Sequence, residues 1–222
     1  MTKSVAWSFS ALNKFETCAY QFYKQRVTKE FKDEMSEAGL WGDRVHKALD
    51  KRISKKTPLP TNMKQFEPYA ARFDNAPGEV YAERQIALTE NLKETSWFAK
   101  NVWVRVIMDV SIINGTQGMV FDWKTGKRKS DIDQLKLFAG ALMALHPQLE
   151  SVQTGYIWLP DKKIDKEEFT PDDVPDIWQH FGHKVARLNK AHAENHWPKK
   201  PSGLCRKWCN VMDCEFNGRL ED

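Results

Sequence analysis

The chain has 222 residues, 41% of them hydrophobic and 29% charged, with a formal net charge of +4. That composition supports a sizeable folded core, and no apolar run approaches the ~18 residues of a membrane span. The opening "MTKSVAWSFSALNKF" lacks an apolar stretch ending in a small-residue cleavage site, so the expected compartment is a reducing cytoplasm.

Taken in chain order, Ser8 or Ser10 is placed to cap a helix running to about Val27, with Leu12, Phe15, Ala19, Phe22 and Tyr23 as its inner stripe. A second helix is expected over Glu34–Ser54, with Trp41, Val45, Ala48, Leu49 and Ile53 on one side. "KKTPLPT" (55–61) breaks it, and a shorter helix follows around Met63–Phe73. "EVYAERQIAL" (79–88) and "WVRVIMDVSII" (103–113) read as strands, and "NGTQG" (114–118) as a hairpin turn into "MVFDWK". Helical spacing returns from Asp131 to Leu145, with Pro147 closing it. "SVQTGYIWLP" (151–160) reads as a strand and Asp172–His196 as a long amphipathic helix. The tail has little periodicity but three cysteines. The pattern is α+β in a single domain over 1–222, a mostly antiparallel sheet with helices around it.

The hairpin raises a chemical question. Asp122 and Lys124 share a face of a strand that reads as buried, and burying two charges is costly unless they pair with each other or with a metal. If Asn114 and Met119 close a four-residue loop, Asp109 falls opposite Lys124 and diagonal to Asp122; a one-residue slip would send it to the other face. Two carboxylates and a lysine at a strand end suit Mg²⁺ or Mn²⁺, hard cations that keep waters in their shell. The competing reading is an Asp–Lys ion pair on a solvated sheet face.

Other residues fit the same site. His46, one helical turn beyond Gly42 in "GDRVHKAL", carries a nitrogen suited to a metal, although a lone helical His is more often surface or core. Glu83 lies on the preceding strand, and Gln134 near the start of the helix after the hairpin, in reach of a phosphate or base. Positive charge bunches at 50–56, 124–129 and 198–208, a pattern found more often on solvated surface than on a phosphate track. Cys18, Cys205, Cys209 and Cys214 suggest a metal before a disulfide in a reducing compartment, either a [4Fe–4S] cluster or structural Zn²⁺. Unrelated free thiols are the alternative.

In order, "WSFSALNKFETCAYQFY", "GDRVH", "IMD", "DWKTGK", "QLKLF" and the terminal Cys triplet resemble the RecB-like branch of the PD-(D/E)XK nuclease superfamily. The likeness is closest to its iron–sulfur members: AddB-type nuclease domains, CRISPR-associated RecB-like exonucleases and phage relatives. The resemblance implies a restriction-endonuclease-like core with a mixed, mostly antiparallel sheet. It implies that His46, Asp109, Asp122 and the main-chain carbonyl of Trp123 hold the metal, with Lys124 as the catalytic lysine. Gln134 would belong to a Q-x3-Y motif, while Glu83, a candidate from its place on the preceding strand, reads more often as a surface strand acid. Cys18, Cys205, Cys209 and Cys214 would hold a cluster joining the N-terminal helix to the tail over 201–222. Ala19 replaces a common Pro, Phe138 replaces the Tyr of Q-x3-Y, and C-x3-C-x4-C replaces C-x2-C-x5-C over the same span.

The expected activity is therefore metal-dependent hydrolysis of DNA, as an exonuclease on single strands or duplex ends. Recombination or replication proteins are the expected partners, and a bacterium or phage the expected source. Trp123, Trp208 and Tyr156 are candidates for base stacking, though such aromatics are more often core. The alternative is a nuclease-like module that binds DNA, or serves recombination, without cutting.

Overall fold

The computed structural model describes residues 5–218. In chain order its elements are β1 (Trp7–Ser8), α1 (Phe9–Thr17), α2 (Ala19–Phe22), α3 (Glu37–Lys55), α4 (Glu67–Ala70), β2 (Glu79–Leu88), β3 (Val104–Asn114), β4 (Gln117–Lys124), α5 (Asp133–Leu145), β5 (Ser151–Trp158), β6 (Lys163–Phe169), α6 (Val174–Glu194) and α7 (Leu204–Lys207). They divide into two compact units, one spanning Ser36–Gln179 and the other comprising the residues up to Met35 and those from His180 onward.

The larger unit is built on the strands β2-β3-β4-β5-β6, neighbours in that order. β2–β3, β3–β4 and β5–β6 are antiparallel, while β4–β5 is parallel. The parallel pair requires a crossover, and α5 supplies it between the two strands. The apolar stripe of α3 meets one sheet face: Val45, Leu49 and Ile53 pack with Val110, Ile112, Phe121 and Trp123, and Met63, Phe66 and Phe73 close the cluster. Side chains alternate along β4, so Gly118, Val120, Asp122 and Lys124 turn to the other face. There a methyl group on Gly118 would lie 2.9 Å from Leu142 of α5.

The β3–β4 turn differs from the expected one. Asn114 pairs with Gln117 across a two-residue loop, and Gly115 takes φ +59°, the positive angle that the first position of a tight hairpin turn favours in glycine. The shift from the anticipated pairing is two residues, one full side-chain period. Asp109 and Asp122 therefore keep a common face. The sequence also gave no signal for β6, whose residues are mostly charged. It is an exposed strand held by pairing to β5.

In the smaller unit Ser8 does cap α1, its Oγ accepting the Ala11 N–H at 3.3 Å. The helix does not continue to Val27. Cys18 adopts an extended conformation (φ −161°, ψ 113°), α2 restarts, and a π-helical turn over Tyr23–Val27 follows. Leu12, Ala19 and Phe22 remain buried through this break, so hydrophobic spacing could not reveal it. Beneath α2 an aromatic cluster gathers Phe22, Tyr23, His192 and Trp197, with ring centroids 4.7 Å apart for His192–Trp197. The expected short helix around 63–73 is two 3₁₀ turns flanking the single turn of α4. No described helix is long and apolar enough to cross a membrane.

Candidate functional site

The β3–β4 ladder runs to Val110↔Phe121, so its next step would set Asp109 opposite Asp122. The Asp109 carboxylate intervenes: Oδ2 accepts the main-chain N–H of Trp123 at 2.8 Å. Its Oδ1 accepts from His46 Nδ1 of α3 at 3.0 Å, leaving the imidazole Nε2 available as a ligand. Helices from both sheet faces therefore reach the strand end, because α5 contributes Gln134. That amide donates to Asp122 Oδ1 at 3.1 Å and accepts from Lys124 Nζ at 2.8 Å.

Asp122 is only 5% exposed. Its Oδ2 is paired with the Lys124 ammonium at 2.7 Å and has no other donor. The Asp–Lys ion pair of the competing reading is present, but its carboxylate is buried and not on a solvated face. Burial, and then the charge of Asp109, push the Asp122 carboxyl up to about 6 against the pull of Lys124. Burial pulls the His46 imidazole down, but the hydrogen bond and charge of Asp109 outweigh it and the net shift is upward. The Tyr156 ring lies 4.7 Å from Lys124 Nζ, and its phenol is raised by burial and by the charge of Asp122. Tyr156 is thus a buried support for the lysine and not a surface stacking group. Its place follows from the parallel pairing Asp122↔Tyr156, which no local sequence signal announces.

Glu83 stands across from Asp109, between the pairs Ala82↔Val110 and Arg84↔Met108. It is exposed and has φ +48°, a costly angle for a side-chain-bearing residue inside a strand. The glycine of "GDRVH" has a steric role, since a methyl group on Gly42 would lie 2.9 Å from Thr125 Oγ1, in the turn that follows Lys124. In the basic run 124–129, Arg128 is committed to Asp165 on β6, which also accepts from Trp158 Nε1 at 2.7 Å. Lys127 and Lys129 remain exposed. Of the other aromatics considered, Trp123 is core and Trp208 is 69% exposed.

Among the described residues no three His, Cys, Asp or Glu side chains converge as a preformed metal cage. At the carboxylates the reason is local, because donors of the protein itself, Lys124 among them, hold the carboxylate oxygens. Two carboxylates and an imidazole at one strand end are a donor set that fits a hard divalent cation.

The four cysteines lie in the smaller unit, all free, and line a single cavity with Tyr20, Lys199 and Val211. Burial holds the Cys209 thiol up, and the neighbouring Cys205, Cys18 and Cys214 add to that against a backbone hydrogen bond at Val211. The four thiols line this one space without three of them converging at ligating distance. The tail reaches them through its own turns, with Gly218 N–H on Cys205 O at 3.0 Å and Asn217 Nδ2 on Cys209 O at 2.7 Å. It is also tied to the N-terminal segment without any metal: Lys24 pairs with Asp213 at 2.6 Å, and Lys200 donates to Glu16 O at 2.9 Å.

The PD-(D/E)XK nuclease superfamily model matches residues 6–214. No curated protein matches the chain. Among solved structures, SSO0001 aligns at 15% identity over 96% of this chain and 87% of its own, with a TM-score of 0.47. A protein from Eubacterium rectale, named only as a candidate exonuclease, aligns at 14% identity over 92% and 93%, with a TM-score of 0.48. The family match extends over nearly all the described residues, covering both the carboxylate–lysine site and the four cysteines, and the chain belongs to the PD-(D/E)XK nuclease superfamily.

Proposed function

We propose that the chain is a divalent-metal-dependent DNA nuclease that works as an exonuclease on single strands or duplex ends. The observation that carries this reading is the buried Asp122 carboxylate, its Oδ2 met only by the Lys124 ammonium, converging with Asp109 and His46 at one strand end. His46, Asp109, Asp122 and the main-chain carbonyl of Trp123 would hold Mg²⁺ or Mn²⁺. Bound there, the ion supplies Lewis acidity to a phosphoryl oxygen and acidifies a water.

The rest is done by the protein. Lys124 brings a positive charge to the scissile phosphate and donates a hydrogen bond to the attacking water. Gln134 fixes that lysine against Asp122, and Tyr156 supports it from beneath. The His46–Asp109 hydrogen bond orients the imidazole. Glu83, exposed beside Asp109, faces the incoming water side, and the exposed Lys127 and Lys129 follow the phosphate backbone. The four cysteines would hold a [4Fe–4S] cluster, with structural Zn²⁺ as the alternative, in one nuclease domain spanning the chain.

The test is cleavage of end-labelled single-stranded DNA with and without Mg²⁺ or Mn²⁺, using the wild type beside Lys124→Ala and Asp122→Asn. Metal-dependent cleavage lost in both variants supports the reading. Activity that survives Lys124→Ala removes the mechanism, and binding without cleavage under any metal identifies a DNA-binding or recombination-accessory module instead.

A further inference from the structure

The β2–β3 hairpin is longer than the strand that carries the catalytic lysine. Continuing the β3–β4 register, Lys124 faces Ile107, so Val104–Val106 and the connection 89–103 extend past the end of β4. Along β3 the exposed Ile107 and half-buried Arg105 alternate with Val104, Val106 and Met108, which are buried on the opposite face. The face of Ile107 and Arg105 is open. Ile107 is 43% exposed, and its partner Gln85 is exposed as well.

The connection is firmly built. Trp103 N–H returns to Leu88 O at 2.8 Å, Thr95 N–H to Ala87 O at 2.9 Å and Thr89 N–H to Lys93 O at 2.8 Å. Arg105 Nε donates to Trp97 O at 2.9 Å, and its guanidinium lies 5.7 Å from the Trp97 ring centroid. This hydrogen-bonded support holds Phe98 89% exposed. The arm bears Lys93, Lys100 and Arg105 against Glu90 and Glu94, a net positive charge.

We propose that this face, from Ile107 through Arg105 and Trp97 to Phe98, is a track for single-stranded nucleic acid passing the carboxylate site, with Phe98 stacking on a base. The proposal rests on the nuclease reading for what the strand is doing there. Three observations favour this occupant over a protein. The face lies on the strand that carries Asp109, two residues away at Ile107, its charge is net positive, and it alternates an apolar surface, a guanidinium and two aromatic rings, which suits bases and phosphates in succession. Val104 is five residues from Asp109, roughly 17 Å along a strand.

The experiment uses the full chain and a fluorescein-labelled oligothymidylate of about 20 nucleotides, long enough to span site and track. Binding is read by anisotropy in EDTA, where nothing is cut. Cleavage of the same strand in Mn²⁺ is compared with hydrolysis of thymidine 5′-(p-nitrophenyl) phosphate, too small to reach Phe98. Phe98→Ala should weaken binding and raise KM for the long strand about 5- to 100-fold, the range for losing one base stack. It should leave kcat and the small diester unchanged, and Phe98→Trp should restore binding. The track is overturned if Phe98→Ala binds the strand like the wild type, if the wild type does not bind it, or if both substrates suffer equally. Binding that depends on Phe98 in a protein that cuts nothing would uphold the track and end the nuclease reading.

Discussion

Asp109 and Trp123 are joined by a hydrogen bond from a main-chain N–H to a carboxylate, 2.8 Å long, at the point where the β3–β4 ladder stops. A side chain replaces a backbone carbonyl as the acceptor. The acid is thereby fixed by the sheet itself, and Lys124 follows Trp123 by one residue on β4. Strand pairing, not loop geometry, sets the spacing of the charged groups.

Gln134 should prove a positioning residue for both Asp122 and Lys124. Gln134→Ala removes a donor from one and an acceptor from the other. The expected loss is about 10- to 100-fold in kcat, the usual scale for a residue that orients metal ligands. Steady-state cleavage of single-stranded DNA measures it, and an unchanged kcat would refute the role.

Tyr156 supports the lysine through its ring. Tyr156→Phe keeps the face 4.7 Å from Lys124 Nζ and should retain near wild-type cleavage. Tyr156→Leu loses both the ring and its packing, at a cost of about 1–3 kcal/mol in stability. Activity should fall in the Leu variant alone. Urea unfolding and cleavage assays on the pair separate the ring from the hydroxyl.

Packing gives two opposite expectations for glycine. A methyl group on Gly155 would sit 2.7 Å from the Asp165 carbonyl oxygen of β6 and 3.2 Å from Phe121. Gly155→Ala should therefore destabilise by about 1–3 kcal/mol. Gly182, inside α6, has open space around it, and Gly182→Ala should stabilise by roughly 0.5–1 kcal/mol. Urea midpoints moving in the same direction would contradict the packing at one of the sites.

His192 provides a pH signature. Burial against Trp197 and Phe22 lowers its pKa, so the native state holds the neutral ring while the unfolded chain titrates near the ordinary value of about 6.5. Below that pH the unfolded chain binds more protons than the native state. The contribution of His192 is then complete above pH ~6.5 and declines as the pH falls through it. Replacing the ring with Phe should flatten the stability profile between about pH 5 and 6.5, measured by urea unfolding at each pH. An unchanged slope would show that the ring protonates in place.

The cluster proposed for the four cysteines makes a prediction of its own. Anaerobically purified chain should be brown with broad visible absorption, and Cys209→Ser should lose that colour and unfold at a lower temperature. Circular dichroism of this variant should stay close to wild type, because Lys24–Asp213 and Lys200–Glu16 still join the two segments. Colourless protein with stoichiometric zinc would replace the cluster with Zn²⁺. Protein with neither would leave four structural thiols.

Much of this was legible in the sequence because it is set locally. The Ser8 cap, the α3 stripe of Val45, Leu49 and Ile53, and strand β2 at 79–88 were all written in spacing and residue type. So was the common face of Asp122 and Lys124, since alternation along a strand needs no partner. Asp109 reached that face even though the loop was two residues shorter than expected, because an error of one whole period leaves sidedness intact. Pairing between segments distant in the chain had no such signature. β6 is charged and depends on β5 for its existence, and the break at Cys18 leaves the apolar period untouched. The seat of Tyr156 beneath Lys124 follows from a parallel pairing. Local sterics and solvent determine which face a side chain takes, whereas its neighbours there depend on contacts that exist only once the chain has closed on itself.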